Sequence, residues 1–305
     1  MANQRNLAID RYRGLAVIFM VFVDSLLDTP AIPAWLKHPA DAGFTFADIV
    51  APMFLFAIAA TYRQSFLRRA EKGGAYAHFT TRYLALIGLG TVFCAGGIAF
   101  TWGVLQAIGA AGLITLLVIK LPPLARAGIG CGLLLAYQLA CNFVPALRDL
   151  VFEGDHGGFL GSLSWGALLI LATAMIDFYN KGIKPFLLAT GALSLLATGS
   201  LFLAPIAKTR VSASYVLVSL VICAVLYFLV NLISGKLPFK SDITIWWGEN
   251  SLLMFLLQLI FVGISDVVFS DHKLLWQGLV TCAAMMTAIS LIAWALHKKN
   301  KRFSL

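Results

Sequence analysis

Ten stretches of this chain are apolar over lengths close to the width of a bilayer, and the basic residues between them concentrate on alternate connections. The stretches cover residues 14–30, 46–66, 83–100, 103–119, 127–147, 159–178, 185–205, 213–233, 245–268 and 275–296. About 20 helical residues cross a hydrocarbon core at 1.5 Å each, and only helices and closed barrels satisfy their backbone there. Only 12% of the 305 residues are charged, against about 25% in soluble domains. Such a chain cannot coat a water-facing surface of its own. The expected fold is all-α: a polytopic integral membrane protein of about ten transmembrane helices. With no linker, low-complexity tract or internal repeat, residues 1–305 read as a single transmembrane domain.

Assigning the connections to two sides in turn puts 18 Lys and Arg with the two termini and five on the other side, namely Lys37, Arg148, Lys208, Arg210 and Lys273. The positive-inside rule makes the basic side, and so both termini, cytoplasmic. The net charge of +9 therefore sets orientation in the lipid bilayer and does not point to nucleic acid. A cleaved leader is disfavoured for the first block, because Asp24 interrupts it and no A-x-A site follows. The five cysteines fall inside predicted spans without a C-x-x-C pair, and the histidines form no H-x-x-x-H, so the sequence supports no metal site.

Trp102 marks a tight outer hairpin between the third and fourth blocks. Gly128 and Gly132 form a G-x-x-x-G face expected to bring two helices close. Ionisable groups at membrane depth are functional candidates by default. Asp24 lies ten residues past Gly14, about 15 Å into the first span, where a structural hydrogen bond and a catalytic role are both open. One outer loop, about 28 to 45, carries Lys37, His38 and Asp41, and a second runs from about 148 to 158. Asp48 follows the first at the outer end of the second span, where an acid also suits a helix N-terminus. A histidine titrates near neutral pH, and a carboxylate on one ring nitrogen would fix its tautomer for general-base work.

The stretch Ile9-Asp10-Arg11-Tyr12-Arg13-Gly14, followed by Met20-Val21-Phe22-Val23-Asp24, resembles the opening of the heparan-α-glucosaminide N-acetyltransferase family of transmembrane acetyltransferases. Lys37-His38 and Thr45-Phe46-Ala47-Asp48-Ile49-Val50-Ala51-Pro52 are similar to the family's K-H and T-x-x-D-L-V-F-P elements, with the His-to-Asp interval of ten kept. Gly103-Val104-Leu105-Gln106-Ala107-Ile108-Gly109 looks like its G-V-L-Q-R-I-G. Pro205 to Lys208 with Ser212, Ser214 and Tyr215, and then Asn250-Ser251-Leu252, match two later elements in the same order.

The resemblance implies an acetyltransferase that takes acetyl-CoA from the cytoplasm and acetylates an amino sugar or glycan on the opposite face. It puts the catalytic histidine on His38, with Asp48 orienting it and Asp24 facing the reaction centre. On this reading Arg13 would partner the donor's phosphates, Gln106, Asn250 or Lys208 would supply a donor to the oxyanion, Gln106 and Asn250 would lie on the acetyl-CoA side, and Lys208 on the acceptor side. Direct transfer and an acetyl-His38 intermediate are both open, as are N- and O-acetylation. It also suggests a homodimer, without a metal, in a bacterial inner membrane. Departures are Asp24 for the usual Asn, Ala107 for Arg, and Pro39 after His38 in place of Ala; they bear on the acceptor more than on the acetyl transfer. The alternative is a transporter or flippase with an Asp24/His38 proton relay.

Overall fold

A computed structural model describes residues 6–40, 42–94, 102–237, 241–269 and 273–303; Arg5, Asp41, Thr101 and Lys240 lie outside them. The described residues form α1 (Leu7–Asp24), α2 (Val50–Ala70), α3 (Ala75–Cys94), α4 (Val104–Val118), α5 (Pro123–Phe143), α6 (Pro145–Glu153), α7 (Gly158–Lys181), α8 (Ile183–Ser200), α9 (Ala213–Ser234), α10 (Ile243–Glu249), α11 (Ser251–Val268) and α12 (Leu275–Lys298), with short 3-10 turns and no strand. Seven of them (α2, counted with its leading turn, α5, α7, α8, α9, α11 and α12) are long and apolar enough to cross a membrane. This is a polytopic helical membrane protein. Helices α1, α3 and α4 occupy the other three predicted blocks; α1 carries Asp10, Arg11, Arg13 and Asp24, and α4 has 15 residues.

The chain divides into two compact units. The first comprises residues 1–39, 45–54 and 225–305. Here α1 packs along α10, and α12 covers α10, α11 and α1. The α1–α10 approach is backbone to backbone. A Cβ on Gly14 would collide with the carbonyl oxygen of Thr244, and one on Gly248 with that of Asp10. No side chain can move aside to relieve such an overlap. Gly14→Ala is therefore expected to cost about 1–3 kcal/mol, read as a lower unfolding midpoint in detergent; an unchanged midpoint would refute this account of the packing.

The second unit comprises residues 40–44 and 55–224. Helix α7 is its centre: 83% of its apolar window is buried, against 22% for α8, so α7 is surrounded by protein while most of the apolar surface of α8 is left uncovered. Helices α4, α5, α6 and α8 pack on α7, and α3 packs on α4. Asp177, near the end of α7, meets Arg126 of α5 and, at 3.3 Å, Arg63 of α2. Trp102 donates to Ser162 Oγ at 3.1 Å and meets Phe159 edge to face.

Four expectations are revised. The close packing foreseen at Gly128 and Gly132 falls instead on Gly130: the buried face of α5 runs through Pro123, Arg126, Gly130, Leu134 and Tyr137. At that helical spacing Gly128 and Gly132 point to open space, and a Cβ on Gly130 would press into Leu171. The first helix starts at Leu7 and ends at Asp24, so Asp24 is its last residue and does not lie in mid-helix. The block 245–268 is broken at Asn250 into α10 and α11. The 148–158 loop is largely helical, since α6 begins at Pro145, a residue pre-set for a first helical turn.

Candidate functional site

His38 and Asp48 meet in the first unit, beside the C-terminal end of α1. The Asp48 side of the pair is built locally. Thr45 precedes the 3-10 turn Phe46–Ile49 and forms a capping box with Asp48. One carboxylate oxygen of Asp48 accepts from the Thr45 N–H at 2.9 Å and from its hydroxyl at 3.1 Å. The other lies 2.7 Å from His38 Nδ1. Asp48 is fully buried, whereas the His38 side chain is 32% exposed. A buried acid held by three groups fixes the ring, and Nδ1–H donation to it leaves the lone pair on Nε2. That is the form a general base needs.

The loop carrying His38 is anchored on apolar and ionic contacts. Leu26, Ile32 and Leu36 form a small core with Cys282 of α12, and Phe22, Phe46 and Met286 close it. The Lys37 ammonium donates to the Pro30 carbonyl at 2.8 Å. Lys273 is 2% exposed, 3.0 Å from Asp266 and 3.5 Å from Asp28, and its N–H donates to the Asp28 carbonyl at 2.9 Å. Asp24 accepts from Gln258 Nε2 of α11 at 3.0 Å, and Gln258 is buried.

The opposite end of α1, about 26 Å away at 1.5 Å per residue, carries a different cluster. Arg11 Nε donates to Asp242 at 2.8 Å. Asp242 caps α10, accepting from the Thr244 N–H at 3.0 Å and the Ile245 N–H at 3.2 Å, and from the Thr244 hydroxyl. Burial pushes the Asp242 carboxyl up, but the hydrogen bonds from Thr244, Arg11 and Ile245 and the Arg11 charge outweigh it and hold it below the ordinary 3.8. Its contribution to stability is thus complete at neutral pH and is lost as pH falls below 3.8 through the depressed value. Asp242→Asn is expected to flatten the acid limb of the unfolding curve; an unaltered limb would contradict the assignment. Nearby, His297 Nδ1 lies 2.7 Å from Glu249 and its Nε2 lies 2.9 Å from Ser241 Oγ, which fastens the end of α12 to α10.

The remaining candidates are distributed. Arg13 is half-buried on α1, one residue past Tyr12, whose ring meets Tyr227. Asn250 is buried at the α10–α11 break; its amide donates to the Lys301 carbonyl at 3.2 Å and its carbonyl accepts from the Phe303 N–H at 2.8 Å, so the chain's own C-terminal segment engages it. Gln106 is fully buried on α4 in the second unit, packed against Gly90. Lys208 lies in the turn before α9, where Ser212 and Ser214 both donate to the Pro205 carbonyl, at 2.9 and 2.8 Å, and Ser212 Oγ accepts from the Ala207 N–H at 3.0 Å. The serines of that element shape the turn. The Gly43 N–H donates to the Ile206 carbonyl at 2.8 Å, which ties this turn to the segment after His38. Asp242 was not among the residues expected at the site, although an Asp immediately before an apolar helix is a cap signal. Nor was Thr45 expected to hold Asp48, as its N–H and hydroxyl do.

Among the described residues no group of three His, Cys, Asp or Glu is placed to hold a metal. Residues 5–156 match the family model described as "Heparan-alpha-glucosaminide N-acetyltransferase, catalytic". No curated protein matches the chain.

Proposed function

Because the chain belongs, through residues 5–156, to the heparan-α-glucosaminide N-acetyltransferase family, we propose that it transfers the acetyl group of acetyl-CoA to the amine of an amino sugar or the hydroxyl of a glycan, with His38 as the base. The observation that carries this reading is the 2.7 Å contact between His38 Nδ1 and the fully buried Asp48. Nε2 takes the proton of the acceptor as its nitrogen or oxygen attacks the thioester carbonyl. The tetrahedral adduct then collapses, the carbon–sulfur bond breaks, and the leaving CoA thiolate recovers the proton from the imidazolium. Asp48 remains ionised and stabilises that imidazolium. In the acetyl-imidazole variant, Nε2 attacks the thioester first and the acceptor displaces it, giving ping-pong kinetics.

The donor reaches the protein from the cytoplasmic face, which we assign to the Arg11 and Arg13 end of α1. At that end a cleft of about 360 Å³ is lined by Arg11, Leu15, Val230, Ile233 and Asp242 among others, apolar enough for a pantetheine arm. We place the chain in a bacterial inner membrane with the His38 end outward. The test is purified protein in nanodiscs with radiolabelled acetyl-CoA and a panel of glucosamine, other amino sugars and simple glycans. Label transfer with release of CoA is expected. Failure to release CoA or label any acceptor would sink the proposal.

A further inference from the structure

The connection from α2 to α3 in the second unit forms an open basin of about 760 Å³. Gly73 and Gly74 have φ of 82° and 75°, a left-handed pair that turns the chain back on itself. Four permanent cations, Arg68, Arg69, Lys72 and Arg82, line this concavity together with His78, and Glu71 is its one acid. Basic inner connections are expected from membrane orientation alone, but orientation requires neither a concave arrangement nor a buried donor. Here both are present. Among the described residues none of the four cations is within ion-pair distance of a carboxylate, and Arg82 Nε is buried without a hydrogen-bond partner. The Arg68 guanidinium is steadied by the Gln64 carbonyl at 3.3 Å and Ser65 Oγ at 3.4 Å. Burial first, and then the charges of Arg69 and Arg82, push the His78 ring below its ordinary 6.5.

Cations gathered around one concavity repel one another and favour an anion with several oxygens, and guanidinium groups suit phosphate geometry. We propose that this basin binds clustered phosphoryl groups: the phosphates of a nucleotide-bearing acyl donor, or those of an anionic lipid headgroup. Only the first source rests on the acetyl-CoA reading. Arg69, Lys72 and Arg82 would each contribute a charge-assisted contact, and His78 would gain a proton more readily once the anion sits beside it.

The experiment is calorimetric titration of the full chain in phosphatidylcholine nanodiscs with pyrophosphate, coenzyme A and pantetheine, for the wild type, Arg69→Gln/Arg82→Gln and Arg69→Lys/Arg82→Lys. Wild type is expected to bind pyrophosphate, the Gln pair about tenfold more weakly and the Lys pair in between, as removal of charge-assisted contacts requires. The His78 titration midpoint, followed by NMR, should rise on adding pyrophosphate. Coenzyme A binding that loses its advantage over pantetheine in the Gln pair identifies the nucleotide source. Phosphatidylglycerol nanodiscs that block pyrophosphate in the wild type identify the lipid source. Equal pyrophosphate affinity in wild type and the Gln pair, or none in wild type in phosphatidylcholine, overturns the basin. Acetyl transfer with an unaltered KM for acetyl-CoA in the Gln pair overturns the nucleotide source and leaves the transferase reading intact. Pyrophosphate binding without acetyl transfer to any acceptor overturns the transferase reading and leaves the basin as a phosphoryl site.

Discussion

His38→Ala is expected to lower kcat for acetyl transfer by about 10²- to 10⁴-fold, the contribution of a positioned general base. The acceptor amine or hydroxyl then has no group to receive its proton, while the helices that hold the loop are untouched. The His38 side chain is 32% exposed, and its loop is held by Leu26, Ile32, Leu36 and the Lys273 ion pairs, so the unfolding midpoint should stay near that of wild type. Asp48→Asn separates orientation from shape. An amide nitrogen facing Nδ1 favours the opposite tautomer, and the rate should again fall by about 10²- to 10⁴-fold. A stable His38→Ala protein that transfers acetyl at the wild-type rate would remove His38 from the mechanism.

Asp177→Ala should be among the most destabilising single changes in the second unit, costing about 3–5 kcal/mol. It strips the counter-charge from Arg126, which is fully buried, and from Arg63. A buried guanidinium without an acid keeps its desolvation cost and loses the Coulomb attraction that offset it. Arg63 is 27% exposed and can find water, so the penalty resides mainly in Arg126. Replacing Arg126 and Asp177 together by methionine should recover most of the loss, because apolar side chains of similar volume need no partner. The measurement is the free energy of unfolding in detergent across the three proteins. A loss below about 1 kcal/mol, the range of exposed pairs, would show that the cluster is wetter than its burial indicates.

The way the helices end shows what local sequence can specify. Pro123 and Pro145 stand at the first positions of α5 and α6, and the residue before a proline avoids the helical region, which breaks the predicted 127–147 block near Val144. The capping box of Thr45 and Asp48 is likewise readable from a three-residue interval. The start of α1 was not legible. Hydropathy places it at Gly14, because Asp10, Arg11 and Arg13 look too polar for a span. Arg11 can lie in the helix because its partner Asp242 stands 231 positions away. The same holds for Asp24, whose amide partner Gln258 is 234 positions distant.

The His38–Asp48 interval of ten residues is visible in the sequence, and residue type with the family resemblance suggests general-base chemistry for it. The 2.7 Å contact is not visible there. It depends on a loop laid over Cys282 and Met286 of a helix near the far end of the chain. Period and spacing also misassigned the close-packing glycine of α5, since Gly130, not Gly128 or Gly132, faces α7.

The sequence by itself determined the all-helical membrane class, most of the span positions and the identity of the paired histidine and acid. These follow from properties summed over a local window: apolar length, charge placement and capping residues. Only the tertiary structure decided where α1 begins, which glycines let backbones touch, which buried charges have partners, and that His38 is held against Asp48. Each of these depends on contacts between segments far apart in the chain, whose free energy no local pattern encodes.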